Sequence, residues 1–172
     1  MAMHVTGRAT LEAPRGEVFA AICDPRTLLE IIPGCRDVRM IAPDEYRGQI
    51  VLRLPGIVGT YDMLVRLVDT DPPARGVIAG RVEGRVGGIV GRATFTLEDA
   101  GGATVIEYDG TGVVSGPLAR LDSRFLEGLA ASLVDEGLAR LGRRLGAIAT
   151  TAPATAPATA PATTPASSAP AR

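Results

Sequence analysis

Residues 77–97, VIAGRVEGRVGGIVGRATFTL, alternate in character along almost their whole length. In VIAGRVEGRV every second residue, Ile78, Gly80, Val82, Gly84 and Val86, falls on one side. In IVGRATFTL the set is Ile89, Gly91, Ala93, Phe95 and Leu97, with Arg92, Thr94 and Thr96 opposite. A period of two marks half-buried β-strands, because successive side chains leave a pleated strand on opposite faces. The glycines of GRVGGIVG lie within these strands, not between a strand and a helix, so a phosphate-cradling loop is a weak reading of them.

The same period extends outward in both directions. QIVLRL points Ile50, Leu52 and Leu54 together, and TYDMLVRLV points Tyr61, Met63, Val65 and Leu67. TVIEYDGTGVV points Ile106, Tyr108, Gly110 and Gly112, and HVTGRATLEA near the N-terminus does so with Val5, Gly7, Ala9 and Leu11. The connections EDAGGAT and TDPPARG have hairpin-loop chemistry, which predicts antiparallel neighbours. Two short helices interrupt the strands early: PRGEVFAAICD, with Val18, Ala21 and Ile22 at helical spacing, and RTLLEII, which ends at Pro33-Gly34. About seven strands, two early helices and one long late helix predict an α+β architecture in which a curved sheet grips a helix.

That inward face is short of volume. The chain has three Tyr, three Phe and no Trp, and Gly7, Ala9, Gly80, Gly84, Gly91, Ala93, Gly110 and Gly112 all fall on it. Interiors are close-packed, so either the sheet bends in at the glycines or a ligand fills the space. The final helix, expected over 117–148, shows two apolar groups: Leu118, Leu121, Phe125, Leu129 and Leu133, then Val134, Leu138, Leu141, Leu145 and Ile148 on another side. Two readings follow. A bend at Gly137, Gly142 or Gly146 lets the second group cover the sheet, or Leu138, Arg140, Leu141, Arg143, Arg144 and Leu145 form a basic amphipathic surface for a membrane or a partner protein.

Catalytic groups are sparse. His4 is the lone histidine and is expected on the exposed face, and Glu107 and Asp109 alternate with inward residues and so face outward. Cys23 and Cys35 read as small buried hydrophobes, and with one histidine they cannot make a four-ligand zinc site unaided. Tyr61 and Tyr108 point inward, where their hydroxyls either orient a polar ligand head or find backbone and water partners.

Residues 1–148 form the predicted ligand-binding domain, followed by a tail, 149–172, of Ala, Thr, Pro and Ser ending in Arg172. Its regular prolines predict a disordered, extended segment that is either a tether or functionally silent. Over 172 residues the net charge is −1 with both signs interspersed, which gives no footprint for nucleic acid. All eighteen basic residues are arginine, so Schiff-base lysine chemistry is excluded. MAMHVTGRATLEAP lacks the layout of a signal peptide and no apolar run reaches the roughly 20 residues of a membrane span, so the expected location is cytoplasmic.

APRGEVFAAICDPRTLLEIIPGCRDV, YRGQIVLRLPGIVGTYDMLVRLVDTDPP and GPLARLDSRFLEGLA together resemble the carbon monoxide dehydrogenase CoxG-like branch of the START-like, or SRPBCC, helix-grip superfamily, over residues 3–147. The resemblance implies a seven-stranded antiparallel sheet around a long C-terminal helix with an apolar cavity between them. It also implies a molybdenum CO dehydrogenase or related hydroxylase as partner and peripheral association with the inner face of the cytoplasmic membrane. A lipophilic cavity beside an enzyme whose electrons must reach a respiratory quinone suggests bound menaquinone or another lipophile, with no covalent cofactor, no metal and no catalysis. A polyketide cyclase or dehydratase and a lipid-binding chaperone or maturation factor are the competing classes.

On this reading the cavity lining is Leu28, Ile31, Ile32, Leu52, Leu54, Tyr61, Met63, Val65, Ile78, Val82, Ala93, Phe95, Tyr108, Leu121, Phe125 and Leu129. Pro33 and Gly34 form the expected mouth turn, with Leu28, Leu29, Ile31 and Ile32 as a lid.

Overall fold

A computed structural model of the chain describes residues 1–55 and 57–151, the side chains of Leu54 and of 147–151 apart. Strand β1 (Ala2–Leu11) leads into helices α1 (Arg15–Cys23) and α2 (Pro25–Ile31). Six strands follow: β2 (Cys35–Ala42), β3 (Glu45–Leu54), β4 (Ile57–Asp71), β5 (Arg75–Gly84), β6 (Gly87–Ala100) and β7 (Ala103–Ser115). A short 3-10 helix, Gly116–Arg120, then precedes the long α3 (Ser123–Thr151). The seven strands form one antiparallel sheet in the order β1-β7-β6-β5-β4-β3-β2. β2 to β7 is thus a meander, and the early helices carry the chain from one sheet edge, β1, to the other, β2. This is the expected α+β helix-grip architecture.

One residue divides the early helices. Asp24 ends α1, and its side chain accepts a hydrogen bond from the Arg26 N–H at 2.9 Å, capping α2 with Pro25 at the first position. Tyr46 of β3 is buried below this junction, and its hydroxyl donates to the Cys23 carbonyl at 2.6 Å, satisfying an acceptor the helix end leaves free. Gly34 turns the chain at φ +76°, and its carbonyl accepts from the Val51 N–H at 2.8 Å. A side chain there would meet the Val51 carbonyl oxygen at 2.2 Å, so both the turn geometry and the close approach require glycine.

The final helix differs from expectation in phase. The chain breaks at Leu121–Asp122, where the Asp122 carboxylate accepts from the Phe125 N–H at 3.1 Å; Leu118 lies in the preceding 3-10 turn and Leu121 caps its end. Counting from this later start, Leu126, Ala130, Val134, Gly137, Leu141 and Leu145 recur at four- and three-residue steps and form one inward stripe. The second apolar group thus does reach the sheet, through Leu141 and Leu145, within the single helix Ser123–Thr151. Gly137 and Gly142 mark close packing: a Cβ at either would lie 3.4 Å from the Ile31 carbonyl oxygen or from Leu11 Cδ2, respectively. α3 runs to Thr151, three residues into the stretch assigned to the tail, and 152–172 lie outside the described residues.

The buried side chains form two cores. The first gathers Leu11, Val18, Ile31, Tyr46, Leu67, Phe95, Leu97, Ile106, Leu141 and Leu145 where α1, α2 and the second half of α3 meet the sheet. The second gathers Met3, Ile57, Tyr61, Val114, Leu118 and Leu126 at the start of α3.

Candidate functional site

Glycine serves two purposes on the inner face of the sheet. At Gly7, Gly76 and Gly84 the residue directly across on the neighbouring strand is aromatic: Tyr108, Phe95 and Tyr61. Each ring lies down on its glycine, so closely that a Cβ there would sit 2.2 to 2.6 Å from ring atoms or hydroxyl. In the middle of the sheet the partners are themselves small. Gly80 stands opposite Gly91, Gly91 opposite Gly112, and Ala93 opposite Gly110. Facing residues on adjacent strands are about 5 Å apart, so these five form one contiguous bare patch.

A cavity of about 380 Å³ lies over that patch, within the size range of small-molecule sites. Met3 and Val5 of β1 wall one side, Val65, Ile78, Val82 and Ile89 the other, and Ala130 and Val134 of α3 roof it. Val134 remains 37 % exposed and marks where the space meets solvent. The sheet therefore does not close on its glycines. A larger hollow of about 670 Å³ lies on the opposite face, but it is lined chiefly by charged side chains and is separate from the helix–sheet interface.

Of the sequence-nominated lining, Val65, Ile78, Val82, Ala93 and Tyr108 stand on the cavity wall. Leu52, Tyr61, Leu121 and Leu129 pack in the adjoining second core, several of whose members also line the cavity. Leu28, Ile31, Ile32 and Phe95 belong to the first core instead, because α2 packs beside the second half of α3 and Phe95 is seated on Gly76 against Phe19, ring centroids 6.0 Å apart. The Pro33-Gly34 turn lies beyond them at the β2 edge, and none of these residues lines the cavity. Met63 is buried with its methyl toward Gly48, outside the cavity lining. Phe125 is 41 % exposed, a consequence of the helix phase. Leu54's side chain is outside the described set. Met3, Val5, Ile89, Ala130 and Val134 were missed; strand alternation carried through Val5 and Ile89 was the available signal for those two.

Two tyrosines bring hydroxyls to this region. Tyr108 donates a long hydrogen bond, 3.4 Å, to Asp135, and burial first, then Asp135, raises its pKa. Tyr61 is 2 % exposed, burial raises its pKa, and its hydroxyl finds no partner among the described residues. An unmade hydrogen bond on a buried hydroxyl costs about 1–3 kcal/mol. His4 lies on the outer face with its Nε2 2.8 Å from Asp109. Both thiols are free, and burial pushes them up, disfavouring the nucleophilic thiolate; Asp44 adds to the effect at Cys23, while a backbone hydrogen bond to Asp37 opposes it at Cys35. No group of three potential metal ligands occurs among the described residues.

The basic surface expected at the end of α3 is not free. Leu141 and Leu145 are core residues and Leu138 packs on them. Arg144 pairs with Glu30 of α2, and Arg140 pairs with Glu136 and donates to the Glu30 carbonyl. Of the six residues only Arg143 is exposed. Helix α2 covers the stripe that the sequence left open for a membrane or partner. Among the described residues no helix is long and apolar enough to cross a membrane.

The fold recurs widely. A conserved protein from Geobacillus kaustophilus superposes with a TM-score of 0.81 at 23 % identity, over 84 % of this chain and 96 % of its own. A START superfamily protein from Mycobacterium smegmatis gives 0.67 at 13 % identity, over 84 % and 98 %. Protein CV1439 from Chromobacterium violaceum gives 0.63 at 17 %, over 83 % and 97 %. These likenesses establish a START-like fold. No curated protein matches the sequence. The family model for the CoxG subunit of carbon monoxide dehydrogenase matches residues 7–146, most of the domain just described, and the chain belongs to that CoxG family.

Proposed function

We propose that this chain is a non-catalytic accessory protein that holds a membrane quinone, menaquinone-like, in the cavity and links a molybdenum CO dehydrogenase to the membrane and its respiratory chain. The observation that carries the proposal is the apolar cavity over the Gly80-Gly91-Gly112 row. Five contiguous positions without bulk leave room against the sheet for a flat ring, and aliphatic walls suit an isoprenoid chain. Tyr61, buried among residues that share the cavity wall, has a hydroxyl ready for a ligand carbonyl. The non-catalytic part is supported by membership of a family described as a subunit of the dehydrogenase.

Membrane contact is assigned to the end of the molecule where Phe125 and Val58 are exposed beside Leu126 and Ile57 of the second core. Protein purified from its native host, extracted with organic solvent and analysed by mass spectrometry, should yield a quinone near one per chain. Failure to find one, together with failure to take up added menaquinone from vesicles, would refute the proposal. Phe125→Glu should slow uptake from vesicles while leaving binding of detergent-solubilised quinone intact.

A further inference from the structure

Two neighbouring cross-strand rows on the outer face of β2–β5 are opposite in charge, and beside them Glu45 pairs with Arg66. Strand register places Asp37, Gln49, Asp62 and Glu83 side by side on four consecutive strands, and the same row continues through Gly88 and Ser115. Two residues along each strand, roughly 7 Å away, a second row reads Arg39, Arg47, Leu64, Arg81, Val90 and Val113. One row is acidic and ends in small residues; its neighbour is basic and ends in two valines that are 57 % and 60 % exposed. Between them lies the hollow of about 670 Å³. Arg39 is paired with Asp37 at 2.9 Å and Asp62 accepts from Gln49 at 3.0 Å, whereas Arg47, Arg81 and Glu83 have no partner among the described residues.

We propose that this face docks a second copy of the chain about a two-fold axis running between the two rows. Rotation by 180° about that line carries each row onto the place of the other at the same position across the sheet. Arg81 then meets Glu83 of the second copy, Arg47 meets Gln49, and the exposed Val90 and Val113 cover Gly88 and Ser115. Only Leu64 faces an unlike group, Asp62, whose carboxylate is already held by Gln49. A two-fold axis along the strands would instead set like charge on like charge. The face is self-complementary in charge and in bulk for a single rotation, which is the requirement of an isologous interface.

Sedimentation equilibrium of the full chain across the micromolar range tests this. A reversible monomer–dimer equilibrium that weakens with added salt is expected. Arg81→Glu and Glu83→Arg should each weaken self-association at least about tenfold. An equimolar mixture of those two variants should associate again, because each presents the charge that the other's rows now lack. The double variant R81E/E83R should dimerise like the parent, with circular dichroism confirming the fold throughout. A parent chain that stays monomeric, single variants that associate normally, or a mixture that does not recover would each overturn the proposal.

Discussion

The two halves of the helix–sheet interface are built from the same alternating strands and end differently. Where α1, α2 and the second half of α3 converge, the inner face carries Leu67, Phe95, Leu97 and Ile106, and Leu141 packs among them with no exposure. Toward the middle, the same strands β5, β6 and β7 supply Gly80, Gly91, Ala93, Gly110 and Gly112, and α3 offers only Ala130 and Val134 above them. Hydrophobic character is similar in the two halves, so burial alone does not distinguish them. Side-chain volume at cross-strand partners does: an aromatic opposite a glycine fills the gap, while small opposite small leaves it open.

Substitutions in the two regions should separate accordingly. Leu141→Ala, at the packed end, should cost about 2–5 kcal/mol in chemical denaturation; a cost well below that would mean the first core is not close-packed. Gly76→Ala, which drives a Cβ to 2.4 Å from the Phe95 ring, should cost about 1–3 kcal/mol, against less than about 1 kcal/mol for Gly110→Ala, whose new atom stands 3.2 Å from Ala93 Cβ. Equal costs would erase the distinction between filled and bare glycines.

Tyr46→Phe removes one buried hydrogen bond and should cost about 1 kcal/mol at neutral pH. Burial first, then the neighbouring Cys23, Asp44 and Asp24, pushes the Tyr46 hydroxyl from 10.0 up to about 12. Because the folded state holds this proton more tightly, the contribution is complete below pH 10 and is lost as pH rises through 12. Denaturation of parent and Y46F across that window should show a shallower alkaline loss in the variant. The smallest effect is expected for Tyr61→Phe: with no partner to lose among the described residues, stability should hold or rise by up to about 1 kcal/mol, while quinone affinity falls.

Much of this was legible in the chain because antiparallel strands have a strict period. Alternation placed Val65, Ile78, Val82, Ala93 and Tyr108 on the inner face without knowledge of their neighbours. Register was not legible, since which glycine faces which depends on hairpin lengths such as the tight Gly84–Gly87 closure. Gly7 and Gly84 therefore read as empty although rings occupy them. The start of the helix was not legible: Leu118 and Leu121 lie in and at the end of a 3-10 turn before Asp122, so they do not share the helical wheel of the residues that follow. Leu28, Ile31 and Ile32 looked like a lid because nothing local reveals that α2 packs on α3 through Ile31 and Glu30.

The central claim is that the space over the glycine row is a binding site rather than a packing defect. Ala93→Phe places a ring in that space, where Gly91→Leu would first strike the Thr111 carbonyl oxygen at 2.7 Å. Titration of the parent and A93F with menaquinone, followed by quenching of tyrosine fluorescence, is the direct test. Saturable binding to the parent, lost in a variant whose folding stability is unchanged or higher, is the predicted result. Undiminished binding to a folded A93F would contradict it.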